Sequence, residues 1–378
     1  MSLQALQIYA GPVALAHIQK NGLQASDIGA VAAAAGGPKG LILGALDRFI
    51  FGQWLASSEQ AVHLIGASIG AWRMASACMP DPVAAFERLE QDYIAQRYDL
   101  APGQKRPSPQ MVSELFAQTI DAFLMPHANA ITQHPRYRLH LLVSKGGSLL
   151  QTEKPWLTPL GFAAAFFSNL ISRKALGHWL ERYVFSTAQL TQEGHPYLSA
   201  LPFHTQDYPT QRFALTADNL LQVVQASCSI PMVLEAVKQI KGCELGAYWD
   251  GGLTDYHLHM DYRKMTTKAQ MLNTSEASLV LYPHFQKAIV PGWLDKSLKW
   301  RHKSTVFIDN LLVLAPSAEW IKSLPNQKLP DRQDFVTYAN DYEGRVNAWQ
   351  TACKASETLS QEWQNWLKNP NLAQIKPL

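Results

Sequence analysis

Two short apolar runs, each ending in glycines and each followed by a helical pattern, constrain the fold of this chain more than any other feature. Residues 28–35 form the first run, and large apolar residues at helical spacing follow over 38–55. Residues 61–67 form the second run, and the helical pattern of 69–79 ends before Pro80. Buried strands that alternate with helices are typical of a parallel sheet with crossover helices. We therefore expect an α/β fold with a three-layer α/β/α core and a mainly parallel sheet.

Weaker patterns extend this alternation along the chain. Strands are expected at 138–144, 212–216, 248–253 and 278–282, and helical segments at 155–183 and 218–226, the last capped by Asp218. No convincing strand pattern follows. Instead, aromatic and apolar residues recur at helical spacing from Tyr342 to Leu367, which predicts a long C-terminal helix packed against the main body. We expect one core domain over 1–285 and a mostly helical extension over 286–378 that packs on it.

Charge, cysteine spacing and hydropathy exclude several classes of protein. The formal net charge is +3 and no run of Lys or Arg occurs, so a nucleic-acid partner is not expected. The four cysteines are widely spaced without a C-x-x-C pair, which is typical of reduced thiols in the cytoplasm. No apolar stretch is long enough to span a membrane, and the first residues lack the basic region of a signal peptide. We therefore expect a soluble, cytoplasmic protein.

The second apolar run ends in the pattern G-x-S-x-G, formed by Gly66, Ala67, Ser68, Ile69 and Gly70. Between a strand and a helix, this pattern is typical of the nucleophile elbow, a strained turn that lifts a serine hydroxyl away from the sheet. The glycines are needed because side chains at their positions would crowd the turn. The helix that follows points its N-terminus at the serine, where its dipole favours a developing anion. Ser68 is therefore the candidate nucleophile.

The first apolar run ends in the glycine-rich segment AGGPKG, residues 35–40. Acyl transfer passes through a tetrahedral oxyanion that needs two or more N–H donors. Pro38 has no N–H, and the candidate donors are therefore the backbone groups of Gly36, Gly37, Lys39 and, after the nucleophile, Ile69. A phosphate loop fits less well, because Lys39 is followed by glycine where the Walker pattern has Ser or Thr. An ordinary tight turn between strand and helix stays open.

The third motif is the segment WDGG at 249–252. A serine nucleophile needs a base within hydrogen-bond reach, which is normally histidine, although a carboxylate can serve. Asp250 is the candidate base, and Asp255 in the same loop is the reserve. Because Asp-Gly pairs also occur in ordinary hairpin turns, this motif is weak without the other two.

Together, the three motifs resemble the patatin-like phospholipase family. That family has a glycine-rich oxyanion loop, then G-x-S-x-G, then Asp-Gly-Gly or Asp-Gly-Ala well downstream, in the same order as this chain. The segment ASCSIP at 226–231 is also similar to the family's A-S-x-x-x-P stretch. The resemblance covers residues 28–258, approximately, and leaves the C-terminal part of the chain outside it.

Carried over to this chain, the resemblance implies that Ser68 and Asp250 form a catalytic dyad in a patatin-like catalytic domain. Gly36 and Gly37 match the glycines of the oxyanion hole, whereas Ala35 stands where the family's first glycine is usual. The implied activity is hydrolysis of a lipid or a small acyl ester, of the phospholipase A or esterase type, in lipid degradation. Neither a cofactor nor a metal ion is expected. The head group, the chain length and the oligomeric state are left open.

Two alternatives stay open. An α/β-hydrolase would use a Ser-Asp-His triad, for which His257, His259 or His284 could follow the aspartate. The early position of Ser68 and the lack of any histidine after His302 count against this alternative. The second alternative is a catalytically silent lipid-binding protein on the same scaffold, because a fold alone does not prove activity.

Two segments could meet a lipid surface. Residues 157–180 are rich in aromatic and aliphatic side chains, which fits either a lid or a buried helix hairpin, and the buried hairpin is the favoured interpretation. Basic residues cluster over 296–303 beside Trp293 and Trp300. This cluster permits a transient contact with an anionic membrane surface, although a solvated loop is favoured.

Overall fold

One mainly parallel β-sheet organises the protein. The computed structural model describes residues 4–99, 104, 106–190, 193–265 and 278–378. Within these residues the strands are β1 (Leu6–Ala10), β2 (Ile28–Ala33), β3 (Val62–Ala67), β4 (Tyr137–Gly146), β5 (Leu180–Leu190), β6 (Pro196–Leu198), β7 (Thr210–Leu215), β8 (Tyr248–Asp250), β9 (Leu279–Pro283), β10 (Leu311–Pro316) and β11 (Ile375–Pro377). Their order across the sheet is β11-β1-β10-β9-β2-β3-β4-β5-β6, with β7 paired to β5 and β8 paired to β4.

Helices connect these strands and continue after them. The α-helices of the described residues are α1 (Pro12–Asn21), α2 (Gly44–Phe49), α3 (Ile69–Ala77), α4 (Pro82–Ile94), α5 (Pro109–Leu124), α6 (Ala128–Thr132), α7 (Leu157–Ile171), α8 (Arg173–Leu176), α9 (Leu220–Cys228), α10 (Gly252–Asp255), α11 (Ala318–Ser323), α12 (Asp334–Thr337), α13 (Tyr342–Ala355) and α14 (Glu357–Lys368). A 3-10 helix, Gly37–Leu43, precedes α2, and a π-helix, Ile50–Trp54, follows it. No helix in the described ranges is both long and apolar enough to cross a membrane.

The central strands run parallel and are buried. β10, β9, β2, β3 and β4 lie side by side with the same direction. Every residue of β2, β9 and β10 is buried, which explains why these strands read as continuous apolar runs instead of alternating ones. Because parallel strands end at the same edge of a sheet, the segments that follow β2 and β3 meet there. These segments are the glycine-rich loop and the turn at Ser68.

The prediction of an α/β fold with a mainly parallel sheet and C-terminal helices is confirmed. Five of the predicted strands occur with small shifts at their ends. They are the strands predicted at 28–35, 61–67, 138–144, 212–216 and 278–282. The helix expected over 69–79 is α3. The helical stretch expected over 38–55 is instead a succession of 3-10, α and π turns.

Three boundaries expected from the sequence are wrong. The helical segment at 155–183 is too long, because β5 begins at Leu180. The strand at 248–253 is also too long, since β8 ends at Asp250 and α10 follows at once. The N-cap of α9 is Asn219 and not Asp218.

The C-terminal part of the chain completes the sheet. β10 pairs in parallel with β9 and antiparallel with β1, and β11 pairs in parallel with β1. The expectation of no strand after residue 282 is therefore wrong, since a short apolar run can be strand or buried helix and periodicity alone does not separate them. The expected long helix is two helices, α13 and α14. The division into 1–285 and 286–378 stays a prediction, although strands on both sides of it share one sheet.

A buried ion pair joins the helix after Ser68 to the helix after the glycine-rich loop. Arg73 on α3 donates two hydrogen bonds, of 2.6 and 2.8 Å, to the carboxylate of Asp47 on α2. Both side chains are almost completely buried. The pair therefore fixes the two segments that border the edge of the sheet relative to each other.

We expect Asp47→Ala to lower the free energy of unfolding by about 3–5 kcal/mol, because it leaves the Arg73 guanidinium buried without its counter-charge. Urea denaturation followed by circular dichroism measures this change. The matched control is Asp218→Ala, which removes an exposed ion pair with Lys241 and should change the stability little. Equal losses from the two variants would contradict the role of the buried pair.

Candidate active site

The chain turns sharply at Ser68, between β3 and α3. Ser68 has φ 57° and ψ −129°, a conformation that non-glycine residues rarely adopt. A Cβ on Gly70 would lie 1.9 Å from the carbonyl oxygen of Ala33, and one on Gly66 would lie 2.4 Å from the carbonyl oxygen of Gly70. Only glycine fits at these two positions, because Gly66 faces the backbone of the turn itself and Gly70 lies directly against the end of β2.

Asp250 reaches this turn because β8 pairs with β4 just beyond the point where β3 ends. β3 is parallel to β4 and ends with Ala67 opposite Leu142. β8 is antiparallel to β4 and ends with Asp250 opposite Val143, the next residue of β4. Since β5 covers the other edge of β4 over these residues, β3 and β8 share one edge and point toward each other. Their ends meet at Ser68.

The side chains of Ser68 and Asp250 are in direct contact. Ser68 Oγ donates a 2.6 Å hydrogen bond to Asp250 Oδ2, and the N–H of Gly252 donates to Oδ1 at 2.7 Å. Only 3% of Ser68 and 6% of Asp250 is exposed. A Cβ on Gly252 would lie 2.9 Å from Oδ1 and 2.6 Å from the Cβ of Ala35, so the close approach of this loop requires glycine.

The segment at 226–231 holds both residues in place. The N–H of Ser68 donates to Ser227 Oγ at 2.9 Å, and Ser227 Oγ donates to a carbonyl of β4 at 2.7 Å. The N–H of Asp250 donates to the carbonyl of Ser229 at 2.9 Å. The pattern A-S-x-x-x-P marks this segment in the sequence but does not predict these contacts. Its two serines link the turn at the end of β3 to the end of β8.

Burial raises the pKa of the Asp250 carboxyl above its ordinary value. The hydrogen bond from Ser68, the positive charge of Arg332, the N–H of Gly252 and the charge of Lys296 act in the opposite direction and offset only part of this effect. A carboxylate whose pKa is raised is a stronger base than an exposed one once it is ionised.

The glycine-rich loop presents free N–H groups beside Ser68. Gly36 and Gly37 each border a cavity that Ser68 also borders. The N–H groups of Gly36, Gly37 and Ile69 donate to no other residue of the described ranges. Lys39 is the third residue of the 3-10 helix, where an N–H normally bonds to the carbonyl of the residue before the helix, here Gly36.

The alternative bases lie elsewhere. Asp255 binds the buried guanidinium of Arg182 through two hydrogen bonds of 2.6 and 2.7 Å. His257 contacts the backbone of Ala288 and Val290. His284 contacts the backbone of Gln286, and His259 contacts the hydroxyl of Thr305. Within the described residues, the Asp250 side chain has hydrogen bonds only to Ser68 and Gly252, so no imidazole stands between the serine and the carboxylate.

Comparison with known proteins agrees with the motifs. A model of the patatin-like phospholipase family matches residues 32–257, more than half of the chain. The chain belongs to the patatin-like phospholipase family. No curated protein and no solved structure matched it. The family prediction made from the motifs is confirmed, and the matched residues include Gly36, Gly37, Ser68 and Asp250.

Two cavities meet at Ser68 of this patatin-like protein. The larger has a volume of about 870 Å³, and its apolar lining includes Ile69, Trp72, Phe116 and Ile230. The smaller has a volume of about 280 Å³, and its polar lining includes Lys39, Asp250, Lys296 and Arg332. In the sequence, Lys296 is recognisable only as part of a basic cluster, and nothing predicts a role for Arg332, which lies in a loop without any motif. Both residues follow the part of the chain that matches the family.

We expect Asp250→Asn to raise the melting temperature at about pH 7 by roughly 1–3 °C. A raised pKa means that the folded state holds the proton of Asp250 more tightly than the unfolded chain does. The buried charge therefore destabilises the fold above that pKa, and the cost disappears as the pH falls and Asp250 becomes protonated. Calorimetry from about pH 8 down to about pH 4 should show the advantage of the variant shrinking.

Asp121→Asn is the matched control, because Asp121 is an exposed aspartate on α5. This variant should gain no stability at neutral pH. A melting temperature of Asp250→Asn below that of the unchanged protein at about pH 7 would contradict the raised pKa.

Proposed function

We propose that the protein is a serine acyl-ester hydrolase that acts on lipid esters, with Ser68 as the nucleophile and Asp250 as the general base. The observation that carries this proposal is the 2.6 Å hydrogen bond from Ser68 Oγ to Asp250 Oδ2 at a strained strand-to-helix turn. A serine hydroxyl needs such a base to attack a carbonyl carbon. Membership of the family supports the same class of reaction.

The reaction proceeds in two steps. Asp250 accepts the hydroxyl proton of Ser68 while Oγ attacks the ester carbonyl, and the proton then passes to the departing alcohol as the acyl–oxygen bond breaks. In the second step Asp250 accepts a proton from water, which attacks the acyl group on Ser68. The proton returns to Ser68 Oγ as the carboxylic acid leaves, so the dyad is restored.

The N–H groups of Gly36, Gly37 and Ile69 are proposed to stabilise the negative oxygen of each tetrahedral intermediate. They have no hydrogen-bond partner in the described residues, and backbone donors that are already in place need no reorganisation during the reaction. The N-terminus of α3 adds a favourable dipole at the same point. Of the donors expected from the sequence, Lys39 is the weakest candidate, because its backbone lies within the 3-10 helix.

The larger cavity supports an acyl chain as the substrate group on one side of Ser68. Its volume of about 870 Å³ suits a ligand of lipid size. Arg97, Arg106 and Arg345 also border this cavity, but Trp72, Phe116 and Ile230 form an apolar wall in it, on which a hydrocarbon chain would gain the free energy of burial. We therefore assign the acyl half of the ester to this cavity.

We expect a fluorophosphonate probe to label Ser68, and Ser68→Ala to lose both the label and ester hydrolysis. Asp250→Asn should lower kcat by about a thousandfold or more, because the amide cannot accept the serine proton. Mass spectrometry of the labelled peptide and hydrolysis of p-nitrophenyl esters measure these effects.

Ser76→Ala is the matched control, since Ser76 is a buried serine on α3 whose hydroxyl donates only to the helix backbone. It should keep the label and the activity. Unchanged hydrolysis in Ser68→Ala would support a silent binding protein. A loss of comparable size from replacing His257, with the fold intact, would support a triad instead of the dyad.

We also propose that α7 contacts a lipid surface. Its outer face exposes Leu160, Phe167 and Ile171, with 58%, 64% and 84% of their surface accessible. The favoured expectation of a buried helix hairpin over 157–180 is therefore wrong for this face, although Phe162 and Ala165 are buried beneath it. A large exposed apolar face is unusual in a protein surface and is typical of a binding site.

Charge supports a lipid surface as the partner of α7. The helix contains no charged residue, whereas exposed Lys154 precedes it and exposed Lys174 follows it. Arg301 donates to the carbonyl of Leu170 at 3.3 Å, which ties the end of α7 to the segment that carries Trp293 at the smaller cavity. An apolar face bordered by cations matches the interface of an anionic membrane.

We expect the double variant Phe167→Ser and Ile171→Ser to bind vesicles of phosphatidylcholine and phosphatidylglycerol at least about tenfold more weakly, because two apolar side chains no longer enter the lipid. Sedimentation with vesicles measures the binding. The matched control replaces Leu245 and Val306, which are also exposed, with serine. Equal losses from the two double variants would contradict a specific role of α7.

A further inference from the structure

Three cationic side chains surround the smaller cavity beside Ser68. Lys39 comes from the 3-10 helix, Lys296 from the segment after β9, and Arg332 from the loop before α12. The guanidinium of Arg332 lies against the glycine-rich loop, since a Cβ on Gly37 would be 3.3 Å from Nη2. Elements distant in sequence thus bring three positive charges to one side of the candidate nucleophile.

The protein balances these charges only in part, because the carboxylates of Asp250 and Asp331 at the same cavity favour the charged forms of Lys296 and Lys39 respectively. Within the described residues, none of the three cations forms an ion pair with a carboxylate, and Asp331 at the same cavity is paired with Lys328 at 2.7 Å. Desolvation in the cavity, together with the charges of Arg332 and Lys39, lowers the pKa of Lys296 to about 8, although part of this side chain is exposed. Burial also lowers the pKa of Lys39. Unpaired cations held together in a cavity favour the binding of an anion.

Aromatic rings hold the two lysines in position. The Lys296 ammonium lies 4.1 Å from the ring centroid of Tyr256 and 5.4 Å from that of Trp293. The Lys39 ammonium lies 5.4 Å from the ring centroid of Phe285. Contacts with the faces of aromatic rings orient a cation without neutralising it, so both charges remain available to a ligand.

The two cavities divide the substrate between them. Both are lined by Ser68, Ile230, Arg332 and Gln333, and the ester group must lie where they meet. If the apolar wall of the larger cavity takes the acyl chain, the alcohol half of the ester lies in the smaller cavity with its three cations. A guanidinium binds a phosphate or carboxylate group through two parallel hydrogen bonds.

We propose that Lys39, Lys296 and Arg332 form an anion subsite that selects esters whose alcohol half carries a phosphate or carboxylate group. This inference rests on the proposed function, because it assumes that Ser68 attacks the ester. Lys39 lies within the residues that match the family model, whereas Lys296 and Arg332 lie beyond them, so two of the three cations come from outside the matched domain.

The test compares two soluble esters that differ only by a phosphate, hexanoylglycerol and hexanoylglycerol 3-phosphate. We expect the unchanged protein to have the higher kcat/KM for the phosphate ester. Arg332→Gln and Lys296→Gln should each lower the ratio of the two kcat/KM values by about tenfold, the usual loss for one charged hydrogen bond. Lys299→Gln, which changes an exposed lysine of the same segment outside both cavities, should leave the ratio unaltered.

A binding experiment tests the subsite without turnover. In isothermal calorimetry, Ser68→Ala should bind the phosphate ester more tightly than the neutral ester. Adding Arg332→Gln should lower the ratio of the two affinities by about tenfold. Equal affinity for the two esters overturns the subsite. If Ser68→Ala binds the phosphate ester more tightly but the unchanged protein hydrolyses neither ester, the anion subsite stands and the proposed hydrolase function fails.

The binding of inorganic phosphate shows whether the three cations recognise the head group of an ester or a free anion. We expect free phosphate to bind Ser68→Ala more weakly than the phosphate ester does, since the ester adds the contacts of its acyl chain. Tighter binding of inorganic phosphate would assign the three cations to a free anion and would overturn the selection of esters.

Discussion

The backbone at Ser68 is the constraint from which the arrangement of the site follows. Its positive φ turns the chain from β3 into α3 within one residue. Gly66 leaves room for the backbone of Gly70, and Gly70 lets the turn lie against the end of β2. Because β2 and β3 are parallel neighbours, the glycine-rich loop after β2 and the serine after β3 arrive at the same edge of the sheet. The buried pair of Arg73 and Asp47 then fixes the helices that follow the loop and the turn.

The carboxylate partner depends on a different element. β8 lies antiparallel on β4 beyond the end of β3, and this brings Asp250 to the turn from the opposite direction. Ser227 and Ser229 bind the backbone of Ser68 and of Asp250 respectively. The raised pKa of Asp250 results from the burial of its carboxyl group, and the buried charge lowers the stability of the fold. Stability and proposed catalysis therefore make opposite demands on this residue, as they often do in active sites.

The C-terminal part of the chain contributes to both the fold and the site. β10 and β11 belong to the same sheet as the strands of the part that matches the family model. Lys296 and Arg332 border the smaller cavity. Ser68 consequently lies between a larger cavity with an apolar wall and a smaller cavity bordered by three cations. An amphiphilic ester has the same division into an apolar acyl chain and a polar alcohol half. The proposed contact of α7 with a lipid surface would bring such a substrate close to these cavities.

The sequence by itself determined the parts of the protein that have a local signature. Buried parallel strands appear as continuous apolar runs, and a turn that excludes side chains requires glycines at fixed spacing, so the central strands and the elbow at Ser68 could be predicted. Tertiary structure decided which aspartate faces the serine, because Arg182 binds Asp255 while the register of β8 directs Asp250 to the turn. It also decided the role of Arg332, since a long-range contact from an irregular loop leaves no periodic pattern in the sequence.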